Sequence, residues 1–384
     1  MPKVHTPEDS LPITPSVVAW ARERAQYSIE EAQQQFKKIA EWESGSSSPS
    51  YPQLEQMSDK FKCPIAVFFF PEPPDVEPIE KSFRTLTKLE FDQIPREIRV
   101  LLRKGRAMQL NLAELNGGTN PAIRMITHLE FEVDGSIEEM AAKVREYMRV
   151  PLDQQFQWPS IEIALENWRE AFASAGIFVF KEPFYMDEYS GFCLFDETFP
   201  IIYVNNSTTK TKQIFTLFHE LAHLIFHTSG VDALDDSYID TLPENSQKIE
   251  IICNRFAGKL LVPDDSFDEV RGNLPPDRET ASILSNRYNV SREVIYRKFL
   301  DRDLISMKEY EKAADIWKRQ GKREGKGGNY YYNQMAYLGH RYINIAFKQY
   351  YQNKIDKVQL AEYLNMKPKN VNTFEETYAR VTSG

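Results

Sequence analysis

The spacing of apolar residues predicts a small helical unit over residues 14–70. Val18 and Ala21 are three positions apart, within a pattern that places apolar side chains on one face of a helix. Ser28 precedes Glu31 by three residues, which is the capping-box pattern of a helix start. The chain therefore opens with short, capped helices that share an apolar core.

Breaks in this pattern divide the chain into five regions. A Pro-rich segment, Phe-Pro-Glu-Pro-Pro-Asp, ends the first region. We expect an N-terminal helical unit, a helical connector, a domain that contains a sheet, a helical extension and a C-terminal helical region. Their bounds are 1–74, 75–155, 156–265, 266–325 and 326–384. The many tyrosines and phenylalanines of the last region carry no recognisable chemistry and are expected to be core residues.

In the middle of the chain, the spacing changes from helical to strand-like. Runs at 176–180, 192–195 and 201–205 are rich in β-branched and aromatic residues and predict three strands. A turn around Asp196 joins the last two, so the sheet is expected to be mainly antiparallel. A strongly apolar helix follows at about 211–227. The predicted fold class is α+β, with a small sheet in a mostly helical chain.

The composition of the chain argues against several classes of protein. The net charge of the 384 residues is −9, which argues against a protein that coats nucleic acid. The three cysteines, Cys63, Cys193 and Cys253, are widely separated and predict reduced thiols without a disulfide framework. The first residues lack the pattern of a secretion signal, and the apolar runs are too short to span a bilayer. We therefore expect a cytoplasmic protein without a membrane partner.

The segment His-Glu-Leu-Ala-His at 219–223 is the clearest chemical motif. His219 and His223 are four residues apart, so on a helix both imidazoles can reach one zinc ion. Glu220 lies beside the first histidine, where it can take a proton from the attacking water. The surrounding residues are apolar, and buried histidines need a polar or metal partner. The motif predicts a metallopeptidase site with Glu220 as its base.

Glu250 is the best candidate for the third ligand that a catalytic zinc requires. The isoleucines around it predict burial, and a buried carboxylate needs a cation. Asn254, one helical turn later, is positioned to hold a ligand in place. An ordinary ion pair of Glu250 with Lys248 or Arg255 is the alternative interpretation. Zinc is favoured over manganese or iron, because two histidines and one glutamate are typical zinc ligands.

Other candidates for the third ligand remain open. His227 continues the four-residue rhythm of the histidine pair, but on a straight helix it lies about 12 Å from the first histidine. It is therefore expected to be structural, or to support a ligand. Asp235, Asp236 and Glu244, on the loop that follows, are weaker alternatives.

At this point the sequence resembles the ImmA/IrrE-type metallopeptidases. The resemblance covers about residues 160–265, and four stretches carry it: 191–192, 201–205, 215–227 and 250–263. It implies a zincin-like peptidase domain of the gluzincin type. It also implies an enzyme that cleaves a partner transcription repressor and thereby switches on prophage, mobile-element or stress genes in bacteria.

By the same resemblance, the zinc ligands are His219, His223 and Glu250, and the catalytic residue is Glu220. This assignment agrees with the one made from the residues alone. The region from 278 to the end also looks like that of longer family members. Within it, residues 282–297 show a faint helix-turn-helix pattern.

The N-terminal unit resembles the lambda-repressor-type (XRE) helix-turn-helix. The residues that carry the resemblance are 21–25, 28–32, 42–45, Pro49, Leu54 and 64–73. The segment 33–41 is too short for two helices and a turn, so the recognition helix is expected to be shortened or fused to the helix before it. Lys37 and Lys38 are the only basic residues of the segment 33–41. The sequence leaves open whether residues 14–70 read DNA, hold a partner protein or form a homodimer.

Two functions follow from these patterns. The first is a zinc-dependent endopeptidase that cleaves one repressor-like protein. The alternative is a DNA-binding transcription regulator, or an antitoxin-like partner, that uses the peptidase domain as a sensor or scaffold. The sequence identifies neither the substrate nor the activating signal.

Overall fold

Helices account for most of the chain, as the spacing of apolar residues predicts. The computed structural model describes residues 11–75, 94–129, 131, 135–186, 188–227, 231–233, 244–320 and 328–382. Contacts group the chain into two units, which are described separately below. The first unit contains 1–81 and 88–103, and the second contains 82–87 and 104–384.

The first unit has short helices around one apolar core. The helices are α1 (Pro15–Arg24), α2 (Ile29–Gln35), α3 (Ile39–Glu43) and α4 (Tyr51–Phe61), followed by a 3₁₀ turn at Ile65–Phe69. Ser28 and Glu31 form the predicted capping box at the start of α2. Val18, Trp42 and Leu54 are fully buried or nearly so. The helix that follows α2, α3, has only five residues. The short segment between residues 33 and 41 leaves no room for a longer one.

Helices also precede the sheet of the second unit. They are α5 (Arg96–Leu115), α6 (Met125–His128), α7 (Ile137–Met148), α8 (Leu152–Gln157) and α9 (Ile161–Ser174). The boundary between the units falls inside α5. The predicted helical connector is not one continuous helix. One break lies after Leu115 and includes Gly117 and Gly118, which both have positive φ. The part of the connector at 76–93 lies outside the described residues.

The sheet contains the three predicted strands and one more. The strands are β1 (Phe178–Glu182), β2 (Tyr189–Leu194), β3 (Ile201–Asn205) and β4 (Val231–Ala233), in the order β1-β3-β2-β4. β3 is antiparallel to β2 and parallel to β1. β4 pairs antiparallel with β2. The prediction of a mainly antiparallel sheet is confirmed, but β4 follows the histidine helix and was not predicted.

Two long helices carry the candidate site, and the first of them packs on β2 and β3. They are α10 (Lys210–Ile225) and α11 (Glu244–Leu261), and they pack against each other. Most of α10 is buried, since its side chains meet the sheet, α9 and α11. A continuous apolar core joins these elements to the helices that follow.

The remaining helices are α12 (Asp264–Arg271), α13 (Arg278–Tyr288), α14 (Arg292–Leu300), α15 (Met307–Gln320), α16 (Tyr330–Leu338), α17 (His340–Tyr351), α18 (Lys357–Tyr363) and α19 (Val371–Thr382). The prediction that the C-terminal aromatic residues are core holds only in part. Tyr342 and Phe347 are buried, whereas Tyr330, Tyr332 and Tyr351 are about half exposed or more. Tyrosine tolerates this because its hydroxyl end can stay hydrated. None of the described helices is both long and apolar enough to cross a bilayer.

Candidate metal centre

Both histidines of the motif lie on α10, near its C-terminal end. Thr209 caps the helix by accepting a hydrogen bond from the amide of Lys212. His219 and His223 are 1% and 5% exposed. Because they are four residues apart, their rings lie on one helix face, with centroids 5.0 Å apart. The local fold therefore places two imidazoles side by side in the core.

Glu250 closes the cluster from α11. Its carboxylate oxygens lie 3.2 Å from Nε2 of His219 and 3.3 Å from Nε2 of His223. The two Nε2 atoms are 3.3 Å apart. One ligand atom from each of the three residues lies within 4.8 Å of the others. The structure thus brings together the three residues that the sequence selects as ligands.

These distances fit a tetrahedral metal ion. Ligand atoms about 2.1 Å from a zinc ion are about 3.4 Å from one another in a tetrahedron. The separations of the two nitrogens and the carboxylate match that value. Nitrogen and oxygen donors of this kind suit zinc.

The electrostatics of the cluster favour positive charge at its centre. Burial acts to raise the pKa of Glu250, but His223 and His219 hold it well below its usual range. Burial acts to lower the pKa of His223, whereas Cys253 and Glu250 raise it well above the ordinary value. Both directions show that the carboxylate attracts a cation to this point in the core.

The next turn of α11 holds the two histidines in place. Nδ1 of His219 lies 3.0 Å from Oδ1 of Asn254. Since that oxygen can only accept, Nδ1 carries the proton and Nε2 is left with a lone pair facing the cluster. The side chain of Cys253 forms a hydrogen bond with His223. Glu250, Cys253 and Asn254 are spaced i, i+3 and i+4, so one face of α11 supplies a ligand and both supports.

Glu220 lies beside the cluster and against the sheet. Its side chain is fully buried. A Cβ atom added to Gly191 of β2 would be 3.8 Å from Oε1 of Glu220, 2.5 Å from Cγ2 of Thr216 and 2.8 Å from the carbonyl oxygen of Tyr203. Only glycine therefore allows β2 to approach α10 this closely. The sequence drew attention to Gly191 as part of a motif but did not reveal this contact.

His227, the described alternative to Glu250, does not join the cluster. His227 lies just beyond α10 with φ of +55°, and its Nε2 is 3.2 Å from the carbonyl oxygen of Ile126. Its ring contacts that of Phe195. His227 is therefore structural, as expected. Asp235, Asp236 and the side chain of Glu244 lie outside the described residues.

Two residues whose side chains hold neighbouring groups in place escaped the sequence analysis. One is Cys253, which was interpreted only as a buried thiol, although its helical spacing from Glu250 was a usable signal. The other is Asn205, at the end of β3. Its side chain donates to the carbonyl of Tyr189 and accepts from the amide of Phe184, which ties the β1–β2 loop to the sheet.

Comparison with known proteins places this site in a family. A family model described as the IrrE N-terminal-like domain, peptidase M78, matches residues 172–300. Over 99 residues the chain is 30% identical to the radiation response metalloprotease IrrE of Deinococcus deserti. The aligned part is 25% of this chain and 34% of that protein, so the chain covers about a third of its relative.

The matched region contains all four strands, the histidine helix, Glu250 and the helices as far as α14. The resemblance stated from the motifs is therefore confirmed for this domain. No comparison extends it to the N-terminal unit. Residues 172–300 are therefore similar to the IrrE N-terminal-like peptidase domain, and they contain His219, His223 and Glu250, which could hold a metal ion.

Proposed function

We propose that the protein is a zinc-dependent endopeptidase that cleaves one repressor-like protein and so switches on the genes which that protein controls. The observation that carries the proposal is the cluster of His219, His223 and Glu250, with Glu220 buried beside it against β2. A structural histidine pair would not need a carboxylate equidistant from both rings. The family of the domain supports the peptidase chemistry.

Each residue has a distinct task in this proposal. His219, His223 and Glu250 hold the zinc ion through Nε2, Nε2 and a carboxylate oxygen. When bound, the ion would act as a Lewis acid: it would make water nucleophilic near neutral pH and polarise the peptide carbonyl. Glu220 accepts the proton of the attacking water on a carboxylate oxygen and delivers it to the leaving amine. Asn254 and Cys253 keep the imidazoles oriented.

A narrow substrate range fits the burial of the site. Glu220 is 0% exposed and His219 is 1% exposed, so little of the reactive surface meets solvent. A peptidase inside a cell also needs such restriction to spare other proteins. We therefore expect casein to be digested slowly or not at all, and rapid casein digestion would contradict a narrow substrate range.

The N-terminal unit is better suited to hold a protein than DNA. Residues 11–75 contain nine acidic and six basic residues, a net charge of −3. Its shortened α3 exposes Glu41 instead of a basic residue. Phosphate contacts require the opposite sign. We propose that this unit helps to select the partner, whose DNA-binding region would be basic.

The test is a cleavage assay with the zinc-loaded full chain. A peptide library from a bacterial proteome serves as the probe, and mass spectrometry records the new termini. We expect a small set of related cleavage sites with the wild type and none with Glu220→Gln. Glu170→Gln, on the half-exposed face of α9, is the matched control and should cleave as the wild type does.

The alternative function predicts a different result. If the peptidase domain is only a sensor or scaffold, Glu220→Gln will behave like the wild type in every assay. Retention of zinc and of cleavage by Glu220→Gln would show that Glu220 is not the base. Complete absence of cleavage by the zinc-loaded wild type, on both the library and a coexpressed repressor, would contradict the proposed function.

A further inference from the structure

Near the C-terminus, α18 and α19 are joined by a tight turn of defined geometry. Asn365 ends α18 with φ of +50°. Its amide donates to the carbonyl of Glu362, and the amide of Met366 donates to the carbonyl of Ala361, each at 2.9 Å. These two bonds are those of a Schellman motif, in which a residue in the left-handed region reverses the chain. A 3₁₀ turn at Pro368–Asn370 then leads directly into α19.

The two helices pack through a regular set of apolar residues. Leu360, Ala361 and Leu364 are buried on the side of α18, and Val371 and Phe374 are buried on α19. They lie at helical spacing within each element, so each helix turns one face inward. Asp356 forms a capping box at the start of α18, which defines where that helix begins. Two short helices joined in this way form a helix-turn-helix.

The outer face of the second helix is polar and exposed. Asn372 and Thr373, in the first turn of α19, are exposed, as are Lys367 and Lys369 just before it. Residues 354–373 contain four lysines and two acidic residues, a net charge of +2 in a chain whose net charge is −9. The most basic part of this segment therefore lies at the start of the second helix.

A second helix pair in the same unit provides a contrast. α13 and α14 are joined by the same kind of turn, with Asn289 at φ of +54°. The first turn of α14, however, is covered by α15. The guanidinium of Arg292 lies over the ring of Trp317 and donates to Gln320, and Tyr310 donates to Glu293. In the first turn of α19, by contrast, Asn372 and Thr373 are both exposed, whereas Arg292 of α14 is partly buried.

We propose that α18 and α19 bind duplex DNA, with the start of α19 in the major groove. In such a complex the second helix points its first residues at base edges while the lysines at its start meet phosphates. Asn372 can pair with adenine, and Thr373 can contact any base or the thymine methyl group. The backbone amides at the start of α19 add to the attraction for phosphate.

The acidic residues of α19 are compatible with this placement. Glu375 accepts a hydrogen bond from the exposed Tyr351, so its carboxylate already has a partner. Glu376 is exposed one turn after Asn372. At that position it can accept a hydrogen bond from the amino group of cytosine. The site therefore differs from a uniformly basic surface, which would bind any polyanion.

The test measures DNA binding by the zinc-loaded full chain. The probe is a fluorescent duplex of mixed sequence, about 30 base pairs or roughly three helical turns long. Fluorescence anisotropy is recorded at several salt concentrations. We expect Lys367→Ala with Lys369→Ala to weaken binding about tenfold and to reduce the slope of log affinity against log salt by about 2.

The matched control is Lys37→Ala with Lys38→Ala, which removes two exposed lysines from the N-terminal unit. We expect it to bind the duplex like the wild type. Equal thermal stability and zinc content in all three proteins would show that the difference does not come from unfolding. Absence of duplex binding by the wild type at low salt would overturn the proposal, and so would loss of binding in the control alone.

A second variant tests base readout separately from charge. Sequences selected from a random duplex pool by the wild type are compared with those selected by Asn372→Ala with Thr373→Ala. We expect a shared motif only with the wild type, while affinity for mixed sequence changes less than about threefold. Tighter binding of the corresponding single strand, or the same motif with both proteins, would contradict major-groove recognition.

Discussion

Two clusters of polar residues lie in the second unit, and they are built in opposite ways. The first is the metal-binding cluster of His219, His223 and Glu250. The second, here called the charged cluster, consists of Glu166 and Arg169 of α9 and Lys181 of β1. Both draw their side chains from neighbouring elements of the same core.

The charged cluster supplies its own counterions. Nη1 of Arg169 lies 2.9 Å from Glu166, and Nη2 donates to the carbonyl of Val179 at 3.0 Å. Nζ of Lys181 lies 3.5 Å from the same carboxylate. Gly339 closes the cluster, since a Cβ there would lie 2.7 Å from Nη2 of Arg169. Arg169 is a permanent cation beside the carboxylate, so no further ion is needed.

Among the described residues, the metal-binding cluster shows no ion pair with an arginine or a lysine. Its two ring nitrogens and its carboxylate face one another at 3.2 to 3.3 Å. A buried set of lone pairs directed at one point is costly unless a cation occupies that point. Burial of polar groups therefore does not by itself mark a site. The balance of charge within the cluster distinguishes a binding site from a structural network.

The largest expected effect is on the base beside the metal-binding cluster. Glu220→Gln should lower the rate of peptide cleavage by about 10² to 10⁴-fold, because an amide cannot accept the proton. Zinc content should stay at the wild-type level, since Glu220 is not in the cluster. Elemental analysis and the cleavage assay measure both quantities. Loss of zinc along with activity would instead place Glu220 among the groups that hold the ion.

The next effect concerns the supports on α11. Asn254→Ala should weaken zinc binding about 10- to 100-fold, because His219 loses the acceptor that fixes its proton. Cys253→Ala should weaken it less, since a thiol sulfur is a poorer acceptor. Competition with a chelator gives both affinities. Cys193→Ala, on β2, is the control and should bind zinc normally; equal losses in all three variants would indicate a general packing defect.

A smaller effect is expected where the sheet approaches the cluster. Gly191→Ala should destabilise the protein by about 1–3 kcal/mol, because the new methyl group meets Thr216 and the backbone of Tyr203. Gly258→Ala, on α11, meets nothing within 4 Å and should be neutral or stabilising. Denaturant titration compares the two. Similar stability of both variants would mean that β2 can move away from α10 at little cost.

The smallest effect tests the charged cluster. Burial, and then Arg169, lower the pKa of Lys181 to about 7 from its ordinary 10.5. Between these pH values the unfolded chain holds a proton that the folded chain does not, so stability rises with pH in that window. Lys181→Met should remove this rise and stabilise the protein at pH 7 by about 1–2 kcal/mol.

Unfolding measured at several pH values checks the result for Lys181. Glu166 keeps Arg169 as its partner in this variant, so the carboxylate is not left alone. A marked destabilisation at pH 7 would show that the ammonium group of Lys181 is needed to balance the cluster. The charged cluster would then resemble the metal-binding cluster in depending on a cation at a fixed point.

The sequence alone determined the metal-binding cluster. Histidines four residues apart on an apolar helix must share a face, and a glutamate among isoleucines must find a cation. These inferences need only helical periodicity and the cost of burying polar groups. They led to His219, His223 and Glu250, and the comparisons confirm the family of the domain that contains them.

Only the tertiary structure decided which elements contact the site and which helices are exposed at the surface. The approach of Gly191 to α10, and the pairing of β1 with β3, depend on residues far apart in the chain. The sequence hinted at a helix-turn-helix at α13–α14 and found no chemistry at α18–α19. In the fold, α15 packs against the first turn of α14, whereas Asn372 and Thr373 of α19 are exposed, because exposure depends on what packs nearby, which local patterns do not encode.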